Sequence, residues 1–271
     1  MTAKPRLDAE LVRRGLARSR QHARELVADG RVKVAGLVAT KPASGVDMAV
    51  SLVVDDTGAG EQDGYVSRGA LKLLGALDGF PEVAIAGRRA LDAGASTGGF
   101  TDVLLRRGAD PVIAVDVGYG QLAWRLRTDP RVVVLERTNV RTLTPDAIGG
   151  PVDLVVADLS FISLALVLPA LAAVAVPGAD LLTMVKPQFE AGRERVGRGG
   201  VVRDPEVRQD TVLAVSRAAA ENGLGVHGVR RSPLPGPAGN VEYFLWLRRD
   251  VPGLAEDEIE TAVRRAVQES A

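Results

Sequence analysis

The residues with the clearest chemical use are Leu91-Asp92-Ala93-Gly94-Ala95-Ser96-Thr97-Gly98-Gly99-Phe100, where an apolar strand pattern runs into a glycine-rich turn and a helix pattern follows at once. Glycines at such a turn let the backbone bend sharply and come close to a ligand. The helix start beyond them offers unpaired N–H groups to polar or anionic ligand atoms. This spacing implies a nucleotide-type cofactor site on an α/β sheet. Asp116, 24 positions after Asp92, ends the next strand pattern, where an acid accepts hydrogen bonds from ribose hydroxyls. The run G-A-S-T-G-G is not the G-x-G-x-x-G of dinucleotide enzymes. Asp92 ahead of it favours S-adenosylmethionine, whose sulfonium or amino group its carboxylate can meet. Four more charged residues fall at the carboxyl edge of the expected sheet, where α/β sites lie. Asp158 and Lys186 each end a strand pattern, Glu242 opens the last one, and Lys72 lies in a helix pattern upstream.

The elements that must position these groups alternate along the chain. Strands are expected at Ala90–Ala93, Val112–Asp116, Val132–Glu136, Leu154–Ala157 and Leu181–Val185. Helices lie between them, and this alternation implies a parallel sheet. A helix is expected over Gly69–Leu77, and a long one starts at Asp204-Pro205, with Asp as cap and Pro at the first helical position. Val226–Val229 and Val241–Leu247 read as two strands joined by a loop too short for a helix, so they must be antiparallel. An antiparallel last strand on a parallel sheet is the arrangement of a class I, Rossmann-like methyltransferase.

Upstream, Leu7–Gly15 and Arg20–Ala28 read as short helices, the second capped by Ser19 and ended by Asp29-Gly30. Val32 and Val34 read as a half-exposed strand with a turn at Gly36, and Ala49–Val54 as a second strand. The polar, Gly-rich stretch Asp55–Gly64 follows. The expected organisation is a small α+β module at 1–56, a linker at 57–66 and a catalytic α/β domain at 67–271.

At 271 residues, 46% hydrophobic and 25% charged, the composition is that of an ordinary soluble protein. The net charge of zero hides an asymmetry: residues 1–45 carry ten Lys/Arg against four acids, so this segment is +6 and the remainder −6. A basic module on an acidic body suggests a polyanionic partner. With no cysteine there is no disulfide, thiolate zinc site or cysteine nucleophile. No metal is expected, because His22 and His227 stand far apart in sequence. The opening MTAKPRLDAELVRRG has no apolar h-region, so no signal peptide and a cytoplasmic location are expected. Leu159–Ala179 carries no charge, but its serines, prolines and glycine make it a loop, a buried helix and a turn rather than a membrane span.

Six motifs then carry a resemblance to a known family: S-R-G-A-L-K-L at 67–73, D-A-G-A-S-T-G-G-F at 92–100, A-D-L-S-F-I-S at 157–163, V-K-P-Q-F-E at 185–190, G-G-V-V-R-D at 199–204 and G-N-V-E-Y-F at 239–244. In this order, over essentially the whole chain, they resemble the TlyA family, ribosomal RNA 2′-O-methyltransferases historically labelled haemolysins. The first module is similar to the α-L RNA-binding domain first described in a small-subunit ribosomal protein, and the second to the FtsJ/RrmJ methyltransferases. The resemblance implies 2′-O-methylation of cytidine in large-subunit 23S rRNA, and also in small-subunit 16S rRNA, with S-adenosylmethionine as methyl donor. It implies a catalytic tetrad of Lys72, Asp158, Lys186 and Glu242. A ribose 2′-hydroxyl must lose its proton as it attacks the methyl, and Lys186 is the candidate either to orient and deprotonate it or only to orient it, since a base role needs a lowered lysine pKa. Cofactor contacts carried over are Asp92, Gly94, Ser96, Thr97, Gly98, Asp116, Asn139 and Asp158. Phe161 packs on the cofactor or the target base, or is a core aromatic. The RNA contacts implied are Arg6, Arg18, Arg20 and Lys41 in the module, Arg68 beside the linker, and Arg193, Arg195 and Arg198 in a flexible basic lid, Gly192–Gly200. The partner is ribosomal RNA within ribosomal subunits, and a monomer is expected for so large and asymmetric a target. Where the family often has a second glycine in the first motif, Ala70 stands here. Three other classes stay open: a membrane-lytic protein, a non-catalytic RNA-binding assembly factor, and a nicotinamide dehydrogenase.

Overall fold

Strands whose side chains are apolar on both faces must lie inside a sheet covered on both sides, and Ala90–Ala93 (β4), Val112–Val115 (β5) and most of Val152–Ala157 (β7) are buried throughout. The computed structural model describes residues 4–14, 16–17, 19–47, 50–54, 64–197 and 199–269. It divides into two compact units, Met1–Arg68 and Gly69–Ala271.

The first unit places helices Leu7–Arg13 (α1) and Arg20–Ala28 (α2) beside a three-stranded antiparallel sheet of Val32–Val34 (β1), Leu37–Val38 (β2) and Leu52–Val54 (β3), in the order β2-β1-β3. Ser19 caps α2 by accepting from the His22 N–H at 3.1 Å. Leu7, Leu11, Ala23, Leu26, Val27 and Val32 form its core. The strand β2 is one the sequence does not signal. Ala35 and Gly36 both adopt positive φ, 51° and 83°, and Val34 pairs with Leu37, so a two-residue turn folds β1 back into a hairpin. The strand expected over Ala49–Val54 is paired only over Leu52–Val54; residues 48 and 49 lie outside the described residues.

The second unit is a seven-stranded sheet in the order β6-β5-β4-β7-β8-β10-β9, where β6 is Val132–Leu135, β8 Ala175–Val185, β9 Leu224–Arg231 and β10 Tyr243–Arg249. Strands β6 to β8 are mutually parallel, and β10 is antiparallel to both β8 and β9. Helices Leu168–Val174 (α6), Pro205–Glu221 (α8) and Glu256–Gln268 (α9) share one apolar core with the sheet, through Leu168, Leu171, Val212, Val215, Val263 and Val267. On the other face, Gly69–Gly79 (α3) packs beside Gly99–Arg106 (α4), and Phe100 of α4 stacks on Phe244 of β10 at 6.1 Å. Asp204 caps α8 by accepting from Glu206 N–H, with Pro205 in the first turn.

Two expectations need correction here. The turn expected at Pro177-Gly178 is a bulge inside β8. Val152 pairs with Ala175 and Leu154 with Asp180, so extra residues of β8 loop out of the ladder. Gly178 takes a positive φ of 80° there, and a proline is tolerated at such a bulge. Glu242 does not open the last strand; Tyr243 is its first paired residue, opposite Val185 and Arg231.

Candidate active site

The glycine turn leaves β4 at its carboxyl end. Gly94 and Gly98 take φ of 88° and 99°, a region open to glycine at little cost. A Cβ on Gly94 would stand 2.7 Å from the carbonyl oxygen of Asp158, so this glycine lets the ends of β4 and β7 meet. Asp116, just past β5, accepts hydrogen bonds from the N–H of Ser96 at 2.8 Å and of Gly118 at 2.7 Å. It thus ties its own loop to the turn. Thr97 contributes its carbonyl oxygen, which accepts from Ala123 N–H at 3.1 Å. Asp92 is buried under the turn and accepts from the Thr101 hydroxyl at 2.6 Å. Burial pushes its carboxyl up to about 7, with Asp158 and Asp116 adding to the rise and Thr101 opposing it. Asn139 is exposed, and its side-chain oxygen caps the 3-10 turn Val140–Thr142.

Beside Asp116 lies a cleft of about 210 Å³ lined by Ala95, Ser96, Gly118, Gln121, Leu122 and Glu136 among others. Both polar atoms of the Gln121 carboxamide are buried without a hydrogen-bond partner among the described residues. A Cβ on Gly118 would fall 1.4 Å from its Nε2, so Gly118 makes the room for it. Nothing in the sequence pattern singles out Gln121, because a polar residue in a loop carries no periodicity.

Strand order brings Lys72, Asp158, Lys186 and Glu242 together. Asp158 follows β7, Lys186 follows β8, and antiparallel β10 returns Glu242 to the same edge. The α3 helix delivers Lys72. Its Nζ is 2.6 Å from Glu242 Oε2 and 4.0 Å from Asp158 Oδ2, while Lys186 Nζ is 2.5 Å from Asp158 Oδ1. The result is a row of alternating charge, Glu242–Lys72–Asp158–Lys186. Side-chain exposure runs 1%, 8%, 21% and 9% along it, so Asp158 is its most exposed member. Burial alone would raise the Asp158 carboxyl, but Lys186 and Lys72 outweigh it and hold the group below the ordinary carboxylate range. Lys186 also donates to Ser160 Oγ at 2.9 Å.

Phe161 is 70% exposed, takes a positive φ of 63°, and tilts against Phe189 at 5.1 Å. It is therefore not a core aromatic. Glu190 clamps the same loop, accepting from Ser163 Oγ at 2.6 Å and Leu164 N–H at 2.8 Å.

The basic segment expected to be a flexible lid is anchored. Arg193–Arg195 form a 3-10 turn, Arg195 pairs with Asp210 at 2.5 Å, and Val196 packs on Ala191, Val202 and Val207. Asn240 closes the far side, accepting from Val202 N–H and donating to the Gly200 carbonyl. Arg198 lies outside the described residues, as does Arg18. In the first unit Arg6 and Arg20 both pair with buried Asp8, which also takes Arg24, while remaining about half exposed themselves. Buried Glu10 is likewise held by Arg13 and Arg14. Lys41 is exposed, and Arg68 is half-buried at the end of this unit. Arg6, Arg13, Arg14, Arg20 and Arg24 are thus gathered around two internal acids, an arrangement that composition alone does not reveal. Among the described residues, no helix is long and apolar enough to cross a membrane, and no three acidic or histidine side chains gather as a metal site.

A glycine turn at the end of the first sheet strand, an acid after the second, and an antiparallel final strand completing a charged row define a class I methyltransferase. Residues 65–249 match the family of FtsJ-like methyltransferases and residues 5–49 the S4 domain. The chain is 62% identical, over 99% of both chains, to the 16S/23S rRNA (cytidine-2′-O)-methyltransferase TlyA of Mycobacterium tuberculosis. It is 34% identical to hemolysin A of Brachyspira hyodysenteriae, over 88% of this chain and 98% of the other. A solved structure of a hemolysin-named protein from Streptococcus thermophilus matches with a TM-score of 0.74 and 39% identity, over 100% of this chain and 98% of that one. The chain belongs to the FtsJ-like methyltransferases and, among them, to the TlyA family.

Proposed function

We propose that the chain methylates the 2′-hydroxyl of cytidine in 16S and 23S ribosomal RNA, with S-adenosylmethionine as donor. The observation that carries this reading is the Glu242–Lys72–Asp158–Lys186 row at the sheet edge next to the glycine turn. The residues fit the cofactor. Asp92 is a buried acid suited to a cationic ligand, Asp116 keeps acceptor capacity for ribose hydroxyls, and Gln121 has an unpartnered donor and acceptor in the same cleft. When bound, S-adenosylmethionine supplies an electrophilic methyl group on a sulfonium. Gly94 and Gly98 let the turn bend through positive φ and pack closely on Asp158 and on Leu122 and Leu126, which sets the course of the backbone that meets the ligand.

Lys186 orients the incoming 2′-hydroxyl and, once it has released its own extra proton to solvent, takes the hydroxyl proton. Asp158 holds Lys186 in place, and the Lys72–Glu242 pair behind it fixes Asp158 with a second cation. A lysine with no carboxylate neighbour would swing on a flexible four-carbon stem. Phe161, exposed on a strained backbone three residues after Asp158 and backed by Phe189, is the platform for the target base, since single-stranded nucleotides are read by stacking on aromatic rings. The target nucleotide must leave its stack to reach this pocket. Arg6, Arg18, Arg20, Lys41, Arg68, Arg193 and Arg198 supply phosphate contacts, which give salt-dependent affinity of low sequence specificity. Arg195, tied to Asp210, has less freedom to do so.

The test is transfer of labelled methyl from S-adenosylmethionine to purified, unmodified small and large subunits separately. Label on RNA that blocks cleavage at the neighbouring 2′-position establishes the reaction and names the subunit. Cofactor binding without label on either subunit would favour an assembly factor instead. Lys186→Ala is expected to lower turnover by about 10²- to 10⁴-fold, the usual contribution of a positioned proton acceptor, with cofactor affinity nearly unchanged. Wild-type turnover in that variant would remove Lys186 from the mechanism.

A further inference from the structure

Ser160 belongs to a motif that gives the site Asp158 and Phe161, yet it has no role in the reading above. We infer that Ser160 is a positioning residue that fixes the Lys186 amine against Asp158, adding a neutral contact to the ionic one. The inference rests on the role proposed for Lys186.

The geometry is specific. Lys186 Nζ lies 2.5 Å from Asp158 Oδ1 and 2.9 Å from Ser160 Oγ. Both partners come from the segment that follows β7, and Lys186 comes from the end of β8. That segment is itself pinned: Asp158 N–H donates to the Ala93 carbonyl at 3.1 Å, and Glu190 holds Ser163 and Leu164. Ser160 is therefore carried on a fixed backbone, and its hydroxyl is a fixed second anchor.

One anchor does not orient a lysine. An ion pair to a single carboxylate oxygen leaves the amine free to swivel about that contact, and the side chain holds about 2 kcal/mol of rotamer entropy that a loose contact does not remove. Asp158 is also shared, since Lys72 stands 4.0 Å from its other oxygen; any shift of Lys72 or Glu242 moves it. Ser160 supplies a contact independent of that charged row. A hydroxyl both donates and accepts, so Ser160 holds Lys186 whether the amine carries its extra proton or has just lost it. A carboxylate can only accept from the amine, whereas the hydroxyl can also donate to its lone pair. The charged groups facing Lys186 within the row are Asp158 directly and Lys72 behind it, with Glu242 beyond.

The experiment compares Ser160→Ala and Ser160→Thr with wild type and Lys186→Ala on unmodified ribosomal subunits. It measures kcat, KM for the subunit, and Kd for S-adenosylmethionine by calorimetry. Ser160→Ala is expected to lower kcat by about ten- to a hundredfold, the cost of a small misplacement of a reacting group. Kd and KM should stay within about twofold, and Ser160→Thr, which keeps the hydroxyl, should recover most of kcat. Ser160→Ala with wild-type kcat would overturn the inference. So would a fall in kcat matched by an equal loss of cofactor affinity, or one that threonine does not recover, because either marks a general disturbance of the loop. Activity in Lys186→Ala itself would instead overturn the underlying reading of the row.

Discussion

Asp92 and Asp158 are shifted in opposite directions, the first up and the second down. Native Asp92 keeps its proton up to about pH 7, whereas an unfolded aspartate releases it near pH ~4. Between these values the native state binds more protons than the unfolded chain. Its contribution to stability is therefore present in full at the acid end and is lost as pH rises toward 7. Asp92→Asn is expected to flatten the fall in Tm across that window. In binding, wild-type affinity for S-adenosylmethionine should gain from ionisation of Asp92 as pH rises through 7, and the variant should lack that gain. Parallel Tm and calorimetric titrations over pH check both, and identical profiles for the two proteins would mean that Asp92 does not titrate there. Asp158, held low by two lysines, is already ionised across this window. Asp158 and Lys186 are legible in the sequence because each ends an apolar run, and Glu242 because it borders one, whereas Lys72 lies within a helix pattern and stands out only through its motif. Ser160 and Gln121 are not, since their importance lies in what they face: an amine from another strand, and a cleft without a matching partner.

Single glycines decide how the elements meet. Gly94 and Gly120 both take positive φ, 88° and 68°, but a Cβ on Gly94 would strike the Asp158 carbonyl while nothing lies within 4 Å of one on Gly120. Gly120→Ala should cost only the left-handed backbone term, about 1–2 kcal/mol. Gly94→Ala should cost more and also depress methyl transfer, because Asp158 must move and Lys186 with it. Denaturant midpoints and turnover of the two variants measure the difference; equal stability and equal activity would mean that the β4–β7 approach is slack. The sheet order follows from alternating strand and helix patterns with a final short connection, so it can be read from the sequence. The β1–β2 hairpin and the β8 bulge cannot. Leu37–Val38 is too short to show a period, and Pro177-Gly178 looks like a chain reversal unless the pairing of Ala175 with Val152 is known.

At the scale of the whole molecule, five arginines of the basic module are tied to two buried acids, Asp8 and Glu10, which fixes where its positive charge sits. Glu10 is held at about 2 by Arg13 and Arg14, and Asp8 lower still by Arg6 and Arg20. These acids favour the folded module above their unfolded values, and that support is lost as pH falls toward 2. Lys41→Ala and Arg20→Ala should both weaken rRNA binding and reduce its salt slope by about one each. Only Arg20→Ala should also lower the module's stability, because it strips a cation from buried Asp8. Binding measured against salt, together with thermal melts, separates the two effects, and an unchanged slope in both variants would place the RNA elsewhere. The position of β10 has a consequence for synthesis. It is the second-last element of the chain, yet it lies between β8 and β9. A nascent chain that stops short of it has an open hydrogen-bonding edge along β8 and a buried lysine at residue 72 without its carboxylate. β10 thus joins β8 to β9 and brings Glu242 to Lys72 in one event, so a copy cut short before it lacks that carboxylate and presents an unpaired strand edge, a template for pairing with other chains.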